Sequence, residues 1–292
     1  MQLDLFLHGA DVAFRNEVIA AINNHDLIAV RTAIDQLRAH YPQDGQLPDF
    51  DALYQALSAL DQPELATASI TCQLQHIETQ VQPAIQRVVG TKAARWLAPA
   101  VFNKLALAAQ NHPFSRNTAQ THAGSLFLRA NALTEARIAI SGIPSWRQIP
   151  EPLAWMCEIA LRENKPAEYW PLIAELAWIA PALLEAQLGG LQNELVPSPV
   201  LLLYQKFCST AELDAEEDEL SWFPAWLLIE HPELQPLLRT AQAPYTPPAR
   251  CASLLIDLLI SERQGHPKSL LEKRKELRDR SPSLFRCYMA RR

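Results

Sequence analysis

The sequence contains little glycine and few β-branched residues. Eight Gly, nine Val and eleven Thr stand among 292 residues, whereas Leu and Ala number 44 and 42. Glycine-rich phosphate loops, nucleophile elbows and β-bulges all consume glycine, and Val and Thr fit strands better than helices. The composition therefore predicts an all-helical protein and disfavours most α/β enzyme folds.

Long apolar runs are also absent. No stretch of 18 or more apolar residues occurs, and the amino end has neither the basic nor the long apolar part of a secretion signal. The cysteines are odd in number and far apart, which indicates reduced thiols and not a disulfide framework. They are Cys72, Cys157, Cys208, Cys251 and Cys287. We therefore expect a cytoplasmic protein without a membrane partner.

Sequence motifs of catalysis, metal binding and nucleotide binding are missing. Gly189-Gly190 lacks the lysine of a phosphate loop, and no HExxH pattern occurs. Cys72 and His76 share a helix face at ligand spacing, but two ligands do not make a metal site. His112 and His122 flank a polar segment that is either an ordinary loop or a binding loop. We predict no catalytic, cofactor or metal residue, although a triad assembled by the fold stays an alternative.

Helical periodicity is clear near the amino end. Apolar residues recur three and four apart on both sides of Asn23-Asn24-His25, which predicts a helical hairpin with Asp26 as the N-cap of its second helix. Tyr41-Pro42 ends that helix, and a further helix is predicted over Phe50–Leu60. The 22 prolines are spread along the chain, so we interpret them as marks of helix ends.

Comparison of the chain with itself shows two echoes. Leu128-Arg129-Ala130-Asn131 recurs 33 residues later as Leu161-Arg162-Glu163-Asn164. Glu175-Leu176 and Pro181-Ala-Leu recur 101 residues later as Glu276-Leu277 and Pro282-Ser-Leu, which is close to three such periods. These spacings predict repeated helical hairpins.

The echoes resemble tetratricopeptide-type repeats, whose units have about 34 residues. In the best unit Gly124 and Ala136 take the small positions of the paired helices, and Phe127 takes a large apolar one. The next unit departs from the pattern by placing Cys157 and Tyr169 at the small positions. The resemblance is clearest over residues 84–183. It implies a right-handed superhelix of stacked antiparallel hairpins, an α-solenoid.

The predicted architecture has three parts and about 13–16 helices. Residues 1–63 form amino-terminal hairpins as a semi-separate lobe, residues 64–250 form the repeat body, and residues 251–292 form a basic capping hairpin. We expect a single curved stack in which the helix pairs pack antiparallel, as repeat proteins of this size require.

Tryptophan and charge point to surfaces. Helix-spaced tryptophans are more often core than binding anchors, and Trp146 is the expected exception because it lies in the connector Ser141–Gln148. Six acids occupy eight positions over 212–219, whereas residues 262–292 carry ten Lys or Arg against four acids. We interpret the basic end as a cap with a solvated face. Nucleic-acid binding is the alternative for it, but the negative remainder of the chain disfavours general nucleic-acid affinity.

The sequence thus predicts a non-catalytic scaffold that binds another protein or peptide in a concave groove. The predicted partner-binding residues are Trp146, Arg147, Trp170, Asn131 and Asn164. The alternatives are an enzyme or regulatory factor with a site in an inter-helix cleft, and nucleic-acid binding through the carboxyl-terminal helix.

Overall fold

A computed structural model describes residues 7–61, 70–191, 198–210, 219–265 and 267–292. All regular structure in these ranges is helical, which confirms the predicted class. The α-helices are α1 Leu7–Asn23, α2 Leu27–His40, α3 Leu47–Asp61, α4 Ile70–His76, α5 Gln82–Ala84, α6 Gly90–Ala109, α7 Ala123–Arg129, α8 Leu133–Ser141, α9 Pro150–Arg162, α10 Pro166–Ile179, α11 Pro181–Leu191, α12 Pro199–Thr210, α13 Phe223–Glu230, α14 Gln235–Leu238, α15 Pro247–Gln264, α16 Pro267–Arg280 and α17 Pro282–Ala290.

The helices form two compact units, Met1–Gly142 and Ile143–Arg292. None of the helices in the described ranges is both long and apolar enough to cross a membrane. The stacking of the hairpins into a right-handed superhelix stays a prediction, as do the boundaries at residues 63 and 250. The acidic run at 212–218 and the proline at 63 lie outside the described residues.

Proline starts many of the helices, as the sequence predicts. The ring fixes φ near its helical value, and the missing amide is one that the first turn would leave unbonded. In the described ranges this holds for α9, α10, α11, α12, α15, α16 and α17. The prediction is wrong for Pro99 and Pro171, which lie inside α6 and α10. Pro83 lies between two π-helical turns, Ile77–Val81 and Ile85–Val89, and irregular turns of this kind accommodate a missing amide.

The amino-terminal unit begins with the predicted hairpin. The Asp26 Oδ1 accepts a hydrogen bond from the Ala29 amide at 2.9 Å, which confirms the N-cap of α2. Ile22, Ile34 and Leu37 are fully buried between the two helices and their neighbours. Helix α3 covers the predicted range 50–60 and begins three residues earlier, at Leu47.

The 33-residue echo corresponds to two identical helix ends. Asn131 and Asn164 have φ angles of 57° and 50°, in the left-handed region. The Ala132 amide donates to the Phe127 carbonyl, and the Lys165 amide donates to the Ala160 carbonyl. This is the Schellman arrangement, and Asn tolerates its left-handed position better than most residues. The echoed asparagines therefore close the hairpins α7–α8 and α9–α10.

Gly124 is a point of close approach between α7 and α8. A Cβ atom built on it would lie 2.6 Å from the Ile140 Cγ1, far inside normal contact distance. Ala136, on the facing helix, is fully buried. The two small positions that the tetratricopeptide resemblance implies are therefore used for helix packing in this hairpin.

The 101-residue echo is a repeated group of helices within the carboxyl-terminal unit. Helices α10 and α16 each have 14 residues, and their first residues, Pro166 and Pro267, are 101 apart. Asn164 and Gly265 precede them by two residues and both have positive φ. Helices α11 and α17 begin at Pro181 and Pro282, again 101 apart. The starts of α10 and α11 thus recur, 101 residues later, as the starts of α16 and α17.

The basic carboxyl-terminal segment is largely paired within the protein. Leu277 and Leu284 are fully buried, whereas Leu271 is exposed, so the segment has one apolar and one solvated face. Its ion pairs include Arg274 and Arg292 with Glu262, Arg280 with Glu276, and Arg291 with Glu230. These acids neutralise much of the local positive charge, which fits the interpretation as a cap.

Candidate partner-binding surface

Trp146 and Arg147 lie in the short connector between α8 and α9. A 3₁₀ turn spans Trp146–Gln148, and Ser145 before it has a left-handed φ of 55°. Ile143 is buried and anchors the connector from one side. The Arg147 guanidinium carbon lies 5.8 Å from the centre of the Trp146 ring. Both side chains are half-buried, so each has one face in contact with solvent.

Glu175 is the buried residue that holds Arg147 in place. It lies on α10, and no part of it is exposed to solvent. The Arg147 Nε donates to the Glu175 Oε2 at 2.8 Å, and the Arg147 Nη2 donates to the Oε1 of the same carboxylate. Such a bidentate arginine–carboxylate pair is among the strongest hydrogen-bonded pairs in proteins and fixes the orientation of the guanidinium. A buried carboxylate without partners would be very costly.

The same carboxylate also holds a second segment of the chain. The backbone amide of Gln242 donates to the Glu175 Oε1 at 2.7 Å, although the two residues are 67 positions apart. Gln242 lies in the loop between α14 and α15. One buried side chain therefore fixes both the connector 142–149 and the loop 239–246. We call the face formed by these two segments and Arg250 the tethered surface.

The loop and the first turn of α15 bring an aromatic and two arginines to the tethered surface. Tyr245 is 86% exposed, and the Arg250 guanidinium carbon lies 4.5 Å from the centre of its ring. Three residues span at most about 11 Å, so Tyr245 is held within that distance of Gln242. Arg239, at the start of the loop, is exposed.

Trp170, the third predicted contact, is placed elsewhere. Only 4% of it is exposed, and its ring packs 5.3 Å from that of Tyr169. Trp155, Trp178 and Trp226 are buried as well. Their rings fill spaces between helices, so the interpretation of helix-spaced tryptophans as core is confirmed. Trp170 offers no surface to a partner in this structure, whereas Trp146 does.

Asn131 and Asn164 are exposed, but their positions have a structural reason. Both are the left-handed residues that end helices α7 and α9. Asn131 belongs to the Met1–Gly142 unit and Asn164 to the Ile143–Arg292 unit. A role for either in partner binding stays a prediction.

Sequence reasoning missed Glu175, Gln242 and Tyr245 as parts of a surface. Glu175 carried a signal, because it is the one charged residue in the apolar stretch Trp170–Ile179. A lone charge in a buried helix needs a partner from another segment. Nothing in the sequence indicates which segments supply the partners of Glu175.

His122 has a structural role at the start of α7. Its Nδ1 accepts a hydrogen bond from the Gly124 amide at 3.1 Å, so the side chain caps the helix. Phe114 packs edge-on against the ring at 5.6 Å. Burial lowers the pKa of the His122 imidazole, because a charged ring loses its hydration there. This geometry favours the ordinary-loop interpretation of the segment before it.

The amino-terminal unit contains an apolar pocket of about 340 Å³. Its wall includes Leu60, Ile77, Val101 and Leu105. Cys72 and His76 both line it, so their shared helix face is confirmed. In the part of the chain that the structure describes, no group of three His, Cys, Asp or Glu side chains could hold a metal ion.

Comparison of the chain with protein-family models, with curated proteins and with solved structures gives no significant match.

Proposed function

We propose that the protein is a non-catalytic interaction scaffold that holds a segment of a partner protein on the tethered surface. One observation carries this proposal: the buried Glu175 carboxylate joins the two segments that bear Trp146, Arg147 and Tyr245. Tryptophan, tyrosine and arginine are the residues that most often dominate binding energy at protein interfaces.

The tether favours binding because it reduces the cost of ordering the surface. Loops between helices are ordinarily among the more mobile parts of a protein. Here the connector and the loop are each fixed by a hydrogen bond to the same buried carboxylate. A surface ordered before the partner arrives loses less conformational entropy on binding. The exposed tyrosine ring also supplies a large contact area with few rotatable bonds.

A displayed peptide library tests the proposal directly. The 292-residue chain is immobilised and panned against random peptides, and the affinity of each enriched peptide is measured by fluorescence polarisation. We expect enriched binders whose dissociation constant rises at least about tenfold in Tyr245→Ala or Trp146→Ala, because loss of a hot-spot aromatic costs about 1–2 kcal/mol or more.

The matched control is Leu271→Ala, which removes another well-exposed large side chain from the same unit. It should leave the dissociation constant unchanged within about a factor of two. The proposal is wrong if no peptide is enriched, or if the two aromatic variants bind as tightly as the Leu271→Ala control.

A second candidate function, binding of a small apolar molecule, rests on the pocket of the amino-terminal unit. Its volume lies at the lower end of the range for ligand pockets, and aliphatic side chains supply most of its wall. The neutral fluorescent probe N-phenyl-1-naphthylamine tests this candidate. We expect its fluorescence to rise on binding and to be lost in Ala59→Phe, which fills the pocket. The exposed Ala39→Phe is the control, and equal signals from both variants would exclude the pocket as the site.

A further inference from the structure

We propose, on the basis of the scaffold function above, that the partner segment held by the tethered surface is acidic. The segments 142–149 and 239–250 contain three arginines and no aspartate or glutamate. Among the described residues, Glu175 is the acid that pairs with one of them, Arg147. The two segments therefore contribute only positive side-chain charge to the surface.

Arg239 and Arg250 carry the unneutralised charge of this surface. Several arginines elsewhere in the carboxyl-terminal unit are paired with acids, as Arg274 is with Glu262 and Arg291 with Glu230. None of the described acids pairs with Arg239 or Arg250. The contact of Arg250 with Tyr245 leaves its charge uncompensated, because a neutral ring does not remove a charge.

The helix that carries Arg250 adds to the positive potential. Helix α15 has 18 residues, and its first turn contains no acidic residue. The amino end of a helix carries a partial positive charge, so an arginine there is placed against the helix dipole. Carboxylates of a bound partner would relieve this repulsion. They would also form two-pronged hydrogen bonds with the guanidinium groups.

The tyrosine and tryptophan define the remaining chemistry of the partner. Tyr245 and Trp146 present apolar ring surface beside the arginines. A segment that places apolar residues between its acids would cover the rings while its carboxylates reach Arg239 and Arg250. We therefore infer an acidic segment with interspersed apolar residues as the occupant.

Three displayed libraries test this inference. They share the same random apolar positions and differ only in fixed alternate positions, which hold Glu in the first, Gln in the second and Lys in the third. The 292-residue chain is panned against each library in parallel. We expect the Glu library to yield binders at least about tenfold tighter than those of the Gln library, and the Lys library to yield none.

Two further measurements assign the preference to the arginines. Raising the salt concentration from about 50 to about 500 mM should weaken the Glu binders several-fold, because exposed charges are screened. The double variant Arg239→Gln, Arg250→Gln should reduce the difference between Glu and Gln binders to less than about threefold. The control Lys275→Gln, Arg278→Gln makes the same change in net charge on α16 and should leave that difference intact.

The outcomes separate this inference from the proposed function. Binders of equal affinity from the Glu and Gln libraries would overturn the acidic preference and leave the scaffold function supported. Binders from the Lys library would also overturn the acidic preference and leave the scaffold function supported. An absence of binders from all three libraries would overturn both proposals. Loss of the Glu preference in the Lys275→Gln, Arg278→Gln control would also overturn the inference.

Discussion

Replacing Arg147 by Ala leaves the buried Glu175 carboxylate without its guanidinium partner. Glu175 has no exposed surface, whereas 29% of the Arg147 side chain is exposed. Removing one partner of a buried ion pair costs about 3–5 kcal/mol. Arg147 is partly solvated in the intact protein, and the Gln242 amide still donates to the carboxylate in the variant. We therefore expect a loss of about 3 kcal/mol in the free energy of unfolding, at the lower end of that range.

Glu175→Gln should cost less than Arg147→Ala. The glutamine retains an oxygen that can accept from the Gln242 amide, and Arg147 can turn towards water. We expect a loss of about 1.5–2 kcal/mol in the free energy of unfolding, at the lower end of the range for hydrogen bonds to a charged group. The control is Arg162→Ala, which removes an exposed pair with Glu158 one helical turn away and should cost about 0.5 kcal/mol.

Urea unfolding followed by tryptophan fluorescence measures these differences. Six of the seven tryptophans lie in the carboxyl-terminal unit, so the signal reports mainly on the unit that contains the tether. The expected order of destabilisation is Arg147→Ala, then Glu175→Gln, then Arg162→Ala. A loss for Arg147→Ala no larger than that for Arg162→Ala would refute the reasoning, because the buried carboxylate would then not depend on its partner.

Three further predictions concern the helix ends and helix contacts. Gly124→Ala should lower the free energy of unfolding, measured by thermal or urea unfolding, by about 1–3 kcal/mol because the new Cβ would overlap Ile140. The control Gly189→Ala has open space around it and should leave the stability unchanged or raise it. Asn164→Ala should lower the free energy of unfolding by about 1 kcal/mol because φ is positive at this position, whereas Asn164→Gly should not lower it. Equal losses in the two variants would contradict the assignment of Asn164 as a left-handed helix end. Because burial lowers the pKa of His122, the unfolded chain takes up its proton first, so stability is full above about pH 6.5 and falls as the pH drops below it. His122→Asn, which can still cap the helix, should flatten this part of the pH profile, and an unchanged slope would assign it to another group.

The sequence predicted those features of the fold that depend on local physical rules. Apolar spacing and an acceptor side chain located the first hairpin and its cap at Asp26. The 33-residue echo located two helix ends that require a left-handed residue, at Asn131 and Asn164. The left-handed backbone explains why asparagine recurs at both positions, and a role of either residue in partner binding stays a prediction.

Features that depend on distant segments could not be predicted in the same way. The pairing of Glu175 with Arg147 and with the Gln242 amide joins residues 28 and 67 positions apart. No periodicity or composition encodes such a pairing, because it depends on how the helices pack. Trp170 could not be placed from its residue type. Tryptophan suits an interface, but helix α10 is buried on nearly all sides, so the Trp170 ring packs in the core.

Hydrogen–deuterium exchange of the 292-residue chain, with and without the tightest binder from the Glu library, tests the central claim most directly. The account predicts that saturating peptide slows amide exchange in residues 142–149 and 239–250, and that Tyr245→Ala removes this protection at the same peptide concentration. Protection confined to other parts of the chain, such as the pocket-lining residues 55–60 and 72–81, with unchanged exchange in both tethered segments, would contradict it.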